Sequence, residues 1–155
     1  MVRRTAIYVV LALVLAFCQE PLRQSSFRNV EGLFGWRSDD TIRLSLDLRS
    51  DNGFNRLFLS SSAKKQAAGQ SMRLYLTFIS PSDNVYRDTL SLTFEKTEGG
   101  EMMDKGGKIQ IQWPYMEIGR LSEDGRWTIL LQREEEENPA YSQIYGMGIS
   151  VSNVP

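Results

Sequence analysis

One side chain in this chain stands where its type and its neighbours together specify a chemistry. Cys18 is the only cysteine among 155 residues. It follows two arginines, Arg3 and Arg4, and an unbroken apolar run from Ala6 to Phe17. A basic start, a short apolar core and a cysteine at its end is the layout of a secretory signal that terminates in a lipid-attachment cysteine. The run of about 12 residues is shorter than the roughly 17 that a helix needs to cross the hydrocarbon core. It falls within the roughly 7–15 residues of a cleaved signal. Positive charge resists translocation, so the arginines hold the start on the cytoplasmic side. Leu15-Ala16-Phe17-Cys18 is similar to a bacterial lipobox, with Phe17 departing from the small residue usual before the cysteine. Each buried methylene of an attached acyl chain contributes ~0.8 kcal/mol of membrane affinity, and stable attachment takes more than one chain.

The other chemistry-bearing residues form weaker patterns. There is no histidine. That removes the commonest general base, the commonest metal ligand and any Ser–His nucleophile pair. With Cys18 committed to the anchor, no thiol catalysis or zinc cluster remains, so no metal and no cofactor is expected. The glycine pairs Gly99-Gly100 and Gly106-Gly107 do not make a phosphate cradle, because Gly107-Lys108 leads into a strand pattern rather than a helix. The run Glu134-Glu135-Glu136-Glu137 reads as a solvated loop tip, since a calcium loop spaces its ligands and breaks them with glycine. Asp39, Asp40, Asp47, Asp88 and Glu117 are unremarkable singly, and a glycosidase pair is a tertiary fact that spacing does not reveal. Trp113 and Trp127 sit in phase with aliphatic strand residues and are expected in the core. Trp36, in the polar context Gly35-Trp36-Arg37-Ser38, is the candidate for an exposed aromatic contact. An enzyme is therefore not expected. A net charge of −1 gives no basic excess, so no nucleic-acid partner is expected either.

The elements that must position these residues follow from a period of two. Apolar residues make up 41% of the chain and charged residues 24%, enough for a real core. The expected organisation is a signal over 1–17, a lipidated tether over 18–26 and one domain over 27–155. Phe27 to Trp36 reads as a first edge strand or an ordered loop. Ile42, Leu44, Leu46 and Leu48 alternate with polar residues. The same holds for Met72, Leu74, Leu76 and Phe78, for Leu90, Leu92 and Phe94, and for Ile109, Ile111 and Trp113, ended by Pro114. Asp51-Asn52-Gly53 and Ser80 to Asn84 are turns. Phe54 to Ser61 reads as a strand, and Ser62 to Gln70 as a loop or one helical turn. The glycine-bearing stretch after Phe94 reads as a long connection. Tyr115 to Leu121 reads as irregular or a short helix. Asp124-Gly125 reads as a hairpin-type turn into Trp127, Ile129 and Leu131. Tyr145, Met147, Ile149 and Val151 make the closing strand, where Gly146 and Gly148 leave one face bare and suggest a docking edge. Seven or eight such strands argue an all-β fold, an antiparallel β-sandwich or jelly roll.

Several segments in order resemble one family, the gliding-motility lipoproteins GldH. They are Gly35-Trp36-Arg37-Ser38-Asp39-Asp40-Thr41, Leu48 through Leu59, Asp88-Thr89-Leu90 with the glycines after it, Gly125 through Ile129, and Ile144 through Ile149. Arg56 and Gly146 depart from the family's Asn and Asp. The resemblance implies a non-catalytic lipoprotein tethered through Cys18, in the cell envelope at the outer membrane. It further implies work with other envelope lipoproteins and with the type IX secretion and motility machinery. A surface glycan-binding β-sandwich lipoprotein is the alternative, and it needs exposed aromatics on one face.

Overall fold

The computed structural model describes residues 23–30, 35–54, 56–117 and 121–152. The signal and Cys18 lie outside them. Nine strands are present among the described residues: β1 (Arg23–Asn29), β2 (Ile42–Leu48), β3 (Arg56–Lys64), β4 (Ser71–Ile79), β5 (Val85–Thr93), β6 (Glu101–Asp104), β7 (Lys108–Glu117), β8 (Gly125–Arg133) and β9 (Ile144–Ser152). They form a five-stranded sheet in the order β1-β9-β3-β7-β6 and a four-stranded sheet in the order β2-β8-β4-β5. Every pairing is antiparallel. Setting β6 aside, the pairs β1·β9, β2·β8, β3·β7 and β4·β5 are those of one long hairpin wound into two sheets, which is a jelly roll. The expected all-β sandwich is therefore what the chain folds into. No helix among the described residues is long and apolar enough to cross a membrane.

The alternating residues meet between the sheets. Leu44, Leu46, Leu74, Leu76, Trp127, Ile129, Leu131, Met147, Ile149 and Val151 are all essentially inaccessible. The period of two that reads as a strand is thus the period that fills the core. Tyr145 breaks the phase. The pairing of β3 with β9 shifts between Ser62 and Ala63, so Tyr145 is the extra residue of a bulge. Ile144 takes the inward place, while Tyr145 lies outside beneath the Lys108 ammonium, 4.7 Å from its ring centre.

Several expected boundaries are corrected. Residues 23–26, expected in the tether, belong to β1 and pair with the end of β9. Pro114 does not end its strand: β7 continues to Glu117. It is tolerated because β6 pairs with β7 only as far as Gln112, and the β3 ladder carries a bulge there, opposite Leu57 and Phe58. For the same reason residues 115–117 are strand. The glycine-bearing connection contains β6. Gly125 does not turn a hairpin, since β7 and β8 belong to different sheets. The strand expected over 54–61 runs from Arg56 to Lys64, and a single 3-10 turn, Lys65–Ala67, follows it.

The closing strand is not an edge. β9 lies between β1 and β3. Its bare glycines are covered: a Cβ built on Gly146 or Gly148 would meet the Phe27 ring at 2.6 Å. The edge that does need protection is β2. Its free N–H groups at Ser45 and Asp47 donate to Ser26 Oγ (3.3 Å) and Gln24 Oε1 (3.1 Å) of β1. The inward side chains of β1 therefore cap a sheet edge rather than fill a core.

Near the start of β8, Glu123 accepts hydrogen bonds from Ser82 Oγ (2.6 Å), Ser82 N–H (3.2 Å) and Asn84 Nδ2 (3.2 Å). The Ser82 hydroxyl above all holds its carboxyl below the usual range. A lowered carboxyl contributes stability above its ordinary pKa of about 4.3 and loses that contribution as pH falls through its folded value. Melting curves of the wild type and Glu123→Gln should therefore differ at neutral pH and converge in acid. A gap independent of pH would contradict this.

Candidate functional site

An open cleft of about 810 Å³ lies at one end of the sandwich, lined in part by Trp36, Arg37, Arg133, Glu137, Asn138 and Tyr141. Two loops build it. The first, between β1 and β2, is pinned where Gly35 adopts φ +78°. The Trp36 N–H then donates to Tyr141 O (3.0 Å), and the indole Nε1 donates to Asp40 O (3.0 Å). Arg37 forks onto Asp39 through Nε (3.0 Å) and Nη2 (2.8 Å). Those bonds hold the Asp39 carboxyl below its usual range and raise the guanidinium in turn.

The second loop runs from Glu134 to Gln143 and is organised around Arg133. This side chain is only 7% exposed. Its Nη1 donates to the carbonyls of Glu134 (3.1 Å) and Glu136 (3.3 Å). Its Cζ lies 4.7 Å from the centre of the Tyr141 ring, a cation–π stack. Tyr141 sits edge-on to Trp36 at 6.4 Å. Its hydroxyl donates to Arg73 O (2.7 Å) and accepts from Arg73 N–H (3.2 Å). Burial is the main cause that raises this phenol above its ordinary value. Asn138 closes the loop, with Nδ2 donating to Ser71 O (2.9 Å) and Oδ1 accepting from Ala140 N–H (2.9 Å).

The structure redistributes the sequence candidates. Trp36 is a correction: it is 2% exposed, so it is a wall of the cleft rather than an exposed contact. The polar neighbours that suggested exposure point outward, while the indole is turned in by its backbone bond to Tyr141. Trp113 and Trp127 are buried as expected. Among the described residues the exposed rings are Phe27, Tyr75, Tyr86 and Tyr145, on four different strands. The four glutamates do not converge: among the described residues no group of three or more His, Cys, Asp or Glu side chains is placed to hold a metal ion. Glu134 pairs with Arg73 at 3.3 Å, and Glu137, though almost fully exposed, reaches to 3.6 Å from Arg133 Nη2. Asp47, Asp88 and Glu117 lie on β2, β5 and β7, two opposite edges of one sheet and a strand of the other. Asp88 accepts from the Tyr115 hydroxyl at 2.7 Å. Cys18 lies outside the described residues.

The residue that sequence reasoning missed is Arg133. Its signal was present: in Trp127, Ile129, Leu131 and Arg133, a cation continues the inward phase of an apolar strand.

No protein-family model and no curated protein matches the sequence. Among solved structures the chain is similar to a non-crystalline cellulose specific carbohydrate-binding module, CBM28, at 16% identity. That likeness covers 86% of this chain and 73% of that one with a TM-score of 0.40. It is also similar to the Yersinia pseudotuberculosis-derived mitogen at 7% identity, over 86% of each chain with a TM-score of 0.33. At these values neither likeness carries an argument about what this chain binds, and its jelly roll rests on its own strand pairing.

Proposed function

We propose that the protein is a non-catalytic lipoprotein of the bacterial cell envelope, tethered through Cys18 and serving the assembly of neighbouring envelope proteins, as the resemblance to GldH implies. The observation that supports this reading is where the chain enters its domain. Four residues separate Cys18 from Arg23, the first residue of β1. Five Cα steps span at most ~17 Å, so a lipid on Cys18 holds the Arg23 end of the sandwich close to the membrane. Arg23 pairs with Ser152, whereas the cleft is built where β8 ends and β9 begins, at the other end of the strands. Strands of seven to nine residues separate the two ends by roughly 20–30 Å. The cleft therefore faces away from the membrane, where a partner reaches it. The glycan-binding alternative lacks a stacking platform of indoles, since all three tryptophans are buried.

Metabolic labelling with a clickable palmitate analogue tests the tether. Label on the wild type in the membrane fraction, and none on Cys18→Ser, is the expected result. A soluble, unlabelled wild-type chain would remove the anchor and with it the assembly role at the membrane.

A further inference from the structure

Arg133 has hydrogen-bonding capacity that the fold does not use. A guanidinium carries five N–H donors on a planar fork. Nη1 is committed to the carbonyls of Glu134 and Glu136. Nε is buried and makes no hydrogen bond. Nη2 has only the Glu137 carboxylate, at 3.6 Å, too far for a hydrogen bond. Nε and Nη2 together form one edge of the fork, and the parallel N–H bonds of that edge match the two oxygens of a carboxylate. Leaving a buried donor without an acceptor is costly, so the edge is built to be filled.

We infer that this edge binds a carboxylate of a partner polypeptide, an Asp or Glu side chain or a chain terminus, inserted into the cleft. The chain's own Glu137 indicates the class. It is a polypeptide carboxylate, 94% exposed, parked against the edge without completing a hydrogen bond. A partner's carboxylate replaces like with like. The charges agree. The cleft is lined by two cations, Arg37 and Arg133, and two anions, Asp39 and Glu137, and Asp39 is held by Arg37. When Glu137 swings aside, one positive charge is left for the incoming group. The cleft, at about 810 Å³, has room for several residues of a polypeptide. Of the other polar walls, Asn138 is bonded to Ser71 and Ala140, and Ser142 to Pro139. Arg133, with its unsatisfied Nε, is the group that recognises the carboxylate, and Tyr141 holds its plane. The inference rests on the proposed assembly role only for the origin of the partner; the binding edge itself rests on Arg133.

The test titrates the ¹⁵N-labelled full chain in detergent with a capped pentapeptide bearing one central Glu. Its Gln counterpart and glucuronate are titrated in parallel, and the Arg133 Nε–H resonance is followed. The Glu peptide should shift that resonance and the Gln peptide should not. Arg133→Lys, which keeps the charge and loses the paired edge, should weaken binding by on the order of tenfold. Glu137→Ala removes the internal competitor and should tighten binding several-fold, a gain that misfolding does not produce. No shift with the Glu peptide, or an unchanged affinity in Glu137→Ala, overturns the inference. A shift with glucuronate alone overturns the polypeptide source. The resonance does not depend on Cys18, so failure of the tether and failure of this site are read separately.

Discussion

Trp113→Ala is expected to lower the stability of the domain by about 3–5 kcal/mol, the usual cost of deleting a buried indole. Trp113 belongs to β7 of the five-stranded sheet and is 3% exposed. Its Nε1 donates to Thr93 O at 2.8 Å, and its ring meets Phe94 edge-on at 5.4 Å. Thr93 is the last residue of β5, on the other sheet, and Phe94 follows it. One side chain thus ties the two layers through apolar contact and a directed hydrogen bond. Its removal leaves a cavity and takes one of two donors from the Thr93 carbonyl, which also accepts from Glu95 N–H at 2.8 Å. Because a domain of this size holds only about 5–15 kcal/mol in total, the loss is a large fraction. Urea denaturation measures it. Trp113→Phe, which keeps one ring but loses the donor and part of the buried volume, should cost less, about 1–3 kcal/mol. An alanine variant within 1 kcal/mol of the wild type would mean that the indole does not join the sheets.

Gly35→Ala is expected to open the cleft. Gly35 holds φ +78°, and a Cβ there would lie 2.5 Å from Tyr141 O and 2.6 Å from Ser142 Cα, both backbone atoms. The left-handed conformation costs an L-residue roughly 1–2 kcal/mol. The overlap adds about 1–3 kcal/mol, because backbone cannot rotate out of the way. The chain relieves this by moving the loop, which breaks the bond from Trp36 N–H to Tyr141 O and exposes the indole. With Trp113 and Trp127 buried elsewhere, a red-shifted fluorescence and new quencher access report Trp36. Gly106→Ala is the matched control. Gly106 also has a positive φ, +60°, but nothing lies within 4 Å of its Cβ position. It should show the conformational cost alone. Equal effects of the two substitutions would argue that the contact with Tyr141 and Ser142 does not hold the loop.

How much of this was legible differs from element to element, for physical reasons. The inward sets of β2, β4, β7 and β8 read directly, because they pack against a core and so alternate apolar with polar. β1 did not read as a strand over its first residues. Its inward residues Gln24 and Ser26 hydrogen-bond to the edge of β2, so its pattern is polar on both faces. Pro114 read as a stop because a proline usually ends a ladder, and only the bulge and the short reach of β6 allow the strand to continue. Trp36 read as exposed because its sequence neighbours are polar, but the partner that buries it, Tyr141, lies over a hundred positions away. Arg133 carried a signal, a cation in the core phase, whose meaning depended on loop carbonyls and a ring that its own strand does not supply.

The sequence by itself determined the all-β class and which side of each strand is buried, because alternation is a local property of an extended backbone and needs no knowledge of the neighbour. Only the tertiary structure decided the rest. Winding one long hairpin into two sheets put β9 in the middle of its sheet and used Phe27 to cover its glycines. The same winding brought Gly35 against the segment that carries Arg133 and Tyr141, two stretches far apart in the chain, at one end of the sandwich. Pairing between strands far apart in the chain is set by the packing of the whole core. The cleft and the unsatisfied edge of Arg133 are therefore consequences of the assembled fold, and no segment of the chain contains them alone.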